Sequence, residues 1–312
     1  MKRKFVCVIF ALCLALSVTG CGDAKEPTDK TTGEVTAQTT EGVTSAPQET
    51  SNTPSATETV KPSTPQEEVV FSGPEDKACT SYVIPEGVTK IGDQAFQDCT
   101  SLTSVEIPNS VTSIGSSAFW GCTSLTSVEI PNSVTEIRWS AFNGCTSLTS
   151  IKLPNSVSQI DQYTFENCES LTSVEIPNSV TSIGSEAFCD CTSLTSIEIP
   201  NSVTSIGTNA FSGCESLTSI EIPSSVTKIG NGAFSDCTSL TSIEISEGVT
   251  EIANAAFSDC TSLTSIEIPN SVTQVGETAF TYCNSLQTIK VPEGLDVSSW
   301  RLLSDSVQII FY

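Results

Sequence analysis

The chain has 312 residues, of which 36 are acidic, 13 are basic and none is histidine, and its formal net charge is −23. Phosphate contacts need clustered Lys and Arg, so this charge excludes a nucleic-acid-binding surface and disfavours adsorption to anionic lipid. The lack of histidine excludes Ser-His-Asp and Cys-His catalysis and histidine metal sites. Such a charge is typical of an extracellular surface, or of one whose partner is basic or carries cations.

Residues 1–20 have the features of an export signal. A basic start at residues 2–4 precedes an apolar run over 5–16 that is too short to span a membrane. The sequence SVTGC over 17–21 resembles the lipobox of bacterial lipoprotein signals, which implies that Cys21 is lipidated and becomes the mature N-terminus. An ordinary secretory signal, in which Cys21 has no role, is the alternative. We therefore expect an exported protein of the bacterial cell envelope or surface that contacts the membrane only through its N-terminal lipid.

Residues 21–75 are rich in Thr, Ser, Pro and Glu and show no hydrophobic period. Such a segment buries too little apolar surface to offset the entropy lost on ordering. The sequence therefore predicts a lipidated N-terminus followed by a disordered stalk that holds the rest of the chain away from the membrane.

A 23-residue repeat fills residues 76–293. A fixed period in this range is the signature of a solenoid, in which each unit buries its apolar face only against its neighbours. Two columns repeat without exception, at Phe96, Phe119, Phe142, Phe165, Phe188, Phe211, Phe234, Phe257 and Phe280 and at Cys99, Cys122, Cys145, Cys168, Cys191, Cys214, Cys237, Cys260 and Cys283.

One repeat, over 171–192, reads LTSVEIPNSVTSIGSEAFCDCT. Its first piece alternates as a strand does, with Val174 and Ile176 on the inward side, and a proline and turn residues follow. The second piece, VTSIG, is another short strand. A single helical turn would then carry Phe188 into the core, and Cys191 would close the unit as a small buried side chain. The sequence predicts about nine coils of short parallel strands with single helical turns.

The L-x-x-L-x-L spacing, combined with IPNSVTSIG, AF and CTSLTS, resembles the BspA-like class of leucine-rich repeats over about residues 79–292. The resemblance implies a bacterial surface protein with an open solenoid whose sheet face binds macromolecules, often host or matrix proteins. In this chain Asn178 follows Ile176 by two residues rather than three, so the usual asparagine ladder is not assured. Residues 294–312 abandon the repeat and form a predicted C-terminal cap. The residues expected to close the core there are Trp300, Leu302, Leu303, Ile309, Ile310 and Phe311.

An acidic ladder is predicted on the outward side of the first strand, with Lys152 and Lys290 in the same column. The ladder either recruits divalent cations or a basic partner, or is a solvated face whose repulsion salt weakens. One carboxylate per coil supplies few ligands for calcium, so we predict no metal site. The ladder comprises Glu106, Glu129, Glu175, Glu198, Glu221, Glu244 and Glu267.

The cysteine column raises the question of disulfides in an exported protein. The number of cysteines in the column is odd, the column lies in the predicted core, and a continuous ladder offers no unique pairing. We expect mostly reduced, buried thiols, with some bonds between stacked neighbours as the alternative. Cys189 and Cys191 form C-x-C, but without histidine or a second pair they do not indicate zinc.

A candidate binding site lies where coils two to four break the repeat pattern. Trp120, Arg138, Trp139 and Tyr163 replace small or polar residues, and Lys152 interrupts the acidic ladder. Trp, Tyr and Arg are enriched at binding hot spots, and aromatic rings also stack on sugars. Drift at tolerant surface turns is the alternative interpretation.

The sequence carries no phosphate-binding loop, metal cluster or nucleophile–base pair, and no insertion that would build a cleft. We therefore predict a non-enzymatic protein without a cofactor. The leading function is adhesion to, or recognition of, extracellular proteins of a host, matrix or neighbouring cell, by a monomer. A carbohydrate-binding module and a passive envelope spacer are the alternatives.

Overall fold

The computed structural model describes residues 68–301 and 307–312. This part of the chain is a parallel β-solenoid, as the repeat predicts. The predicted leader, Cys21, residues up to 67 of the predicted stalk, and Leu302 and Leu303 of the predicted cap lie outside the described residues. The strands are β1 (Val70–Phe71), β2 (Ser81–Val83), β3 (Lys90–Ile91), β4 (Ser104–Glu106), β5 (Ser113–Ile114), β6 (Glu136–Ile137), β7 (Ser150–Lys152), β8 (Gln159–Ile160), β9 (Ser173–Glu175), β10 (Ser182–Ile183), β11 (Ser205–Ile206), β12 (Ser219–Ile222), β13 (Lys228–Ile229), β14 (Ser242–Ile245), β15 (Glu251–Ile252), β16 (Ser265–Glu267), β17 (Gln274–Val275), β18 (Thr288–Val291) and β19 (Gln308–Phe311).

The strands stack on two sides of the solenoid, and coil one begins at β2. The first side carries the LTSVEI strands, in the groups β2-β4, β7-β9, β12-β14 and β16-β18-β19. The second side carries the shorter strands, in the order β1-β3-β5-β6 and then β8-β10-β11-β13-β15-β17. Neighbours pair in parallel one repeat apart, for example Ser182 with Ser205. Strand pairing begins at Val70, inside the segment that the sequence assigns to the stalk, and continues through β19 in the predicted cap.

The third side consists of turns, and no described segment forms a helix, so none is long and apolar enough to cross a membrane. In coil five, where a helical turn is predicted, the amide of Cys189 donates to the carbonyl of Glu186 and that of Cys191 donates to Phe188, both at 3.3 Å. Glu186 and Asp190 both have φ of 56°, and this left-handed backbone stops the turn from propagating as a helix. The predicted fold class is confirmed, with paired tight turns in place of the helical turns.

The core is a set of ladders that run along the solenoid axis. The phenylalanine rings stack almost parallel, with neighbouring centroids 5.0–5.8 Å apart. Phe71 and Tyr82 cover this stack at its start, and Trp300 covers its other end. Contrary to the predicted cap, the side chains of Ile310 and Phe311 do not close the core and are 44% and 50% exposed. Both lie on the last strand, which no further described strand covers.

A serine ladder takes the place of an asparagine ladder between the two strand sides. Asn178 and Asn201 are exposed, whereas the serine that follows each is half-buried. The hydroxyls of Ser179 and Ser202 donate to the carbonyls of Val157 and Val180 in the preceding coil, both at 2.6 Å. This finding explains how the repeat tolerates the shifted asparagine.

Candidate functional site

Trp139 and Tyr163 meet at a shallow surface depression on the turn side of the second strand column. Asp161 and Gln162 complete its lining, and its volume is about 370 Å³. Trp139 is 53% exposed, and the other exposed large apolar side chains of the described residues lie in the last repeat or at the two ends of the solenoid. The structure therefore joins two of the five predicted binding residues. We call these four residues the depression.

The depression lies at the junction where second-side strand pairing stops, although turn-side backbone hydrogen bonds still join the two coils, for example from Ser140 to Gln162 at 2.9 Å. In most coils a glycine follows the second-side strand, since a Cβ there strikes the preceding coil: at Gly207 it would lie 2.5 Å from the amide nitrogen of Ser185. Arg138 and Asp161 occupy this glycine position in coils three and four, the only consecutive pair in the described solenoid without it. The second-side sheet divides between β6 and β8 at this point.

The phenylalanine stack does not mark this junction. The ring centroids of Phe142 and Phe165 are 5.7 Å apart, within the range found along the stack, and those of Phe257 and Phe280 are 5.8 Å apart in a coil that keeps its glycine. A departure from a repeat's own packing rule is expected at functional sites, where local stability is sacrificed. We call this boundary the coil-four junction.

Charged groups form a polar rim around the depression. The Nε of Arg138 lies 3.1 Å from a carboxylate oxygen of Glu136. Gln159 donates a 2.6 Å hydrogen bond to Asp161. Burial raises the pKa of Asp161 despite that bond. The side chain of Tyr163 forms a hydrogen bond with Glu186, and burial raises the pKa of Glu186 as well. An aromatic pair within a ring of hydrogen-bonding groups is suited to recognising a partner surface.

Trp120 and Lys152 do not line the depression. Trp120 is half-buried within the turn column. Lys152 lies on β7 and forms a 3.0 Å ion pair with Glu175. The sequence grouped these residues by their proximity along the chain, but the first side and the turn side of a coil face different directions.

The acidic ladder is exposed along the first side and is interrupted by two in-register ion pairs. Lys152 pairs with Glu175, and Lys290 pairs with Glu267 at 3.1 Å. No group of three or more His, Cys, Asp or Glu among the described residues is placed to hold a metal ion. The members without an ion pair among the described residues are Glu106, Glu129, Glu198, Glu221 and Glu244.

The cysteine column consists of free, buried thiols. From Cys122 onward each thiol donates to a phenylalanine carbonyl of the preceding coil; Cys214, for example, bonds Phe188 at 3.3 Å. Burial raises the pKa of Cys122 and of Cys283 to about 12. These thiols are therefore structural and chemically inert.

A buried polar pair next to the coil-four junction was not predicted. Asn143 donates a 2.5 Å hydrogen bond to Glu166, and the two residues are 5% and 3% exposed. Burial raises the pKa of Glu166 from 4.5 to about 7, the nearby Glu186 raises it further, and the Asn143 bond opposes both. The sequence does place Asn143 and Glu166 in one repeat column, after Trp120. The spacing alone does not show that the side chains of Asn143 and Glu166 are buried.

Comparison with known proteins identifies the repeat. The model of the BspA-type leucine-rich repeat region, in six copies, matches residues 70–195 and 181–308. A leucine-rich repeat protein of T. pallidum is 30% identical, with 72% of this chain and 85% of that chain covered and a TM-score of 0.50. One from Eubacterium ventriosum is 25% identical, with 73% and 66% covered and a TM-score of 0.53. No curated protein is significantly similar to this chain. Repeats of this kind form non-catalytic, protein-binding scaffolds, and the chain belongs to the BspA-type leucine-rich repeat family.

Proposed function

We propose that the solenoid recognises an extracellular protein and that the depression at the coil-four junction is the centre of that interface. The observation that carries the proposal is the coincidence of two features at one boundary: the divided second-side sheet and the exposed Trp139. Trp and Tyr supply large contact areas at low entropic cost. The repeat on both sides of the junction holds them in place.

The shape of the site favours a macromolecule over a small ligand. The depression is shallow and open, whereas small-molecule sites enclose most of their ligand. Glu136, Arg138 and Asp161 provide a polar rim, as protein interfaces commonly have. A protein of a host, a matrix or a neighbouring cell is the partner class that we propose, with adhesion as the result.

The test is a binding screen of the full chain against matrix proteins and a glycan array. Trp139→Ala should weaken protein binding about tenfold to a hundredfold, as loss of a hot-spot aromatic does. Tyr282→Ala is the matched control, because Tyr282 is 50% exposed and lies in another coil. Equal binding by both variants and the unchanged chain would contradict the proposal. Glycan binding that requires Trp139 would support a carbohydrate-binding module. The absence of all binding would support a passive spacer.

We further propose that the chain is a lipoprotein displayed at the bacterial surface. The basic start, short apolar run and SVTGC sequence support a lipid on Cys21, and the Thr- and Pro-rich segment after it would serve as a stalk. Mass spectrometry of the mature N-terminus should find a diacylglycerol-modified Cys21. A free amino terminus at Gly22 or later would contradict lipidation without affecting the proposed binding site.

A further inference from the structure

Exposed apolar side chains concentrate at the two ends of the solenoid. Eight large apolar side chains are exposed among the described residues, and six of them lie at the ends, at 44–65% exposure. A solenoid that remains separate in solution needs end coils with polar outer faces. The six residues are Val69, Val70 and Val83 at the first end and Ile310, Phe311 and Tyr312 at the other.

The two ends have complementary steps. At the first end, β1 projects on the second side, one coil beyond β2, and no described strand lies beside it on the first side. At the other end, β19 projects on the first side, two coils beyond the last second-side strand, β17, and residues 292–300 follow β18 without forming a strand. The projecting strand at each end therefore lies on the side where the other end lacks a strand. The outer edges of β2 and β19 pair with no described strand, and such edges accept further strands.

Side-chain register matches across the two ends. Val83 is in register with Glu106, and Ile310 is in register with Lys290, so both belong to the outward column of the acidic ladder. The column is therefore charged from Glu106 to Lys290 and apolar at each terminus. If the ends met in register, Ile310 would face Val83, and neither would face a charge.

We propose that the chain associates head to tail, with β19 of one copy pairing in parallel with β2 of the next. The β1 strand of the second copy would then complete the coil that β19 begins, so that one composite coil contains strands from two molecules. The contact is heterologous, because two different ends meet, and it generates a linear assembly that does not close. This inference does not depend on the proposed function, and it differs from the monomer expected from the sequence.

Sedimentation of the full chain over a range of concentrations tests the proposal. The weight-average mass should rise about twofold or more with concentration, as expected for an open assembly. Val83→Lys and Ile310→Glu should each weaken association about tenfold, because each would leave a charge against an apolar residue. The fold should tolerate both, since the new lysine would neighbour Glu106 and the new glutamate would neighbour Lys290, as Lys152 neighbours Glu175.

Charge pairing supplies the decisive variant. A chain with both Val83→Lys and Ile310→Glu should associate again, because opposite charges would meet at the contact, and Val83→Glu with Ile310→Glu should not. Trp139→Ala should leave association unchanged, which separates this proposal from the binding site. A chain that stays monomeric to about 1 mM, the limit of a weak specific contact, would overturn the proposal. Association that the end variants do not change would also overturn it. So would association that occurs only after removal of the residues before Glu68, because that segment would then fill the step at the first end.

Discussion

Small hydroxyl and thiol side chains donate hydrogen bonds to backbone carbonyl oxygens of the preceding coil. Ser202 donates to the carbonyl of Val180, Thr204 donates to Thr181 at 3.1 Å, and Cys214 donates to Phe188. Each donor belongs to one coil and each acceptor to the coil before it. The repeated Ser, Thr and Cys positions therefore supply hydrogen bonds between neighbouring coils, and the cysteines also fill volume in the core.

The serine ladder can be tested at one coil. Ser202→Ala should lower the free energy of unfolding by about 1 kcal/mol, because it removes a half-buried hydrogen bond and leaves the carbonyl of Val180 without that donor. Asn201→Ala is the matched control, since Asn201 is adjacent and exposed. Chemical denaturation of both variants measures the difference. An equal loss in the two variants would show that the serine bond does not stabilise the stack.

The cysteine column should resist alkylation in the folded protein. The thiolate is the reactive form, and a thiol of pKa about 12, such as Cys122, is ionised in about one molecule in 10⁴ at pH 8. Half-buried Cys79 and Cys189 should therefore be labelled by iodoacetamide before Cys122 or Cys214. Peptide mass spectrometry over time gives the order, with urea-unfolded protein as the control in which all react. Labelling of Cys214 as fast as Cys79 would contradict this prediction.

At the scale of the element, glycine sets the distance between second-side strands. Gly207 approaches the backbone of the preceding coil so closely that a methyl group would overlap Ser185. Ala253 occupies the same position in coil eight, where the second-side strands still pair. A single methyl group is therefore accommodated without loss of strand pairing, whereas Arg138 and Asp161 in succession accompany a divided sheet.

Gly207→Ala should destabilise the solenoid by about 1–3 kcal/mol, since the neighbouring coil must move to admit the methyl group. Ala253→Gly should cost less, about 1 kcal/mol, because it removes one buried methyl group and adds backbone freedom to the unfolded chain but displaces no neighbouring coil. Thermal unfolding of both variants provides the comparison. A larger loss for Ala253→Gly would mean that the glycine position does not set the distance between coils.

Much of this element-level order could be predicted from the sequence, because residues 23 apart must share one environment in a stack. The strands, the Phe and Cys columns and the outward glutamates follow from that rule. The depression was predicted in part: Trp139 and Tyr163 break the pattern, but the role of Asp161 requires the distance between coils. The serine ladder and the end strands β1 and β19 were missed, because their partners are carbonyl groups or strands outside the regular repeat.

At the scale of the whole molecule, several of the many acidic residues are partly buried on the turn side, and this burial changes their pKa values. Burial raises the pKa of five carboxyl groups there, although hydrogen bonds oppose the shift in several of them. A raised carboxyl pKa favours the neutral form in the folded state. The five groups are Asp161, Glu166, Glu186, Asp190 and Asp236.

The solenoid should therefore be more stable in mild acid than at neutral pH, with Glu166 as the largest single contributor. The pKa of Glu166 is about 7 in the folded chain and near 4.5 when unfolded, so the folded state holds the extra proton between these values. Stability must fall as pH rises through this window and level off above it, by an amount on the order of 2–3 kcal/mol for this residue.

Glu166→Gln keeps the shape of the neutral carboxyl group and should flatten the dependence of stability on pH, raising the melting temperature at pH 8 but not at pH 4. Glu169→Gln, in the same coil but exposed, should leave the slope unchanged. Melting curves from pH 4 to 8 that rise with pH, or that Glu166→Gln does not flatten, would show that Glu166 is not held neutral in the turn stack.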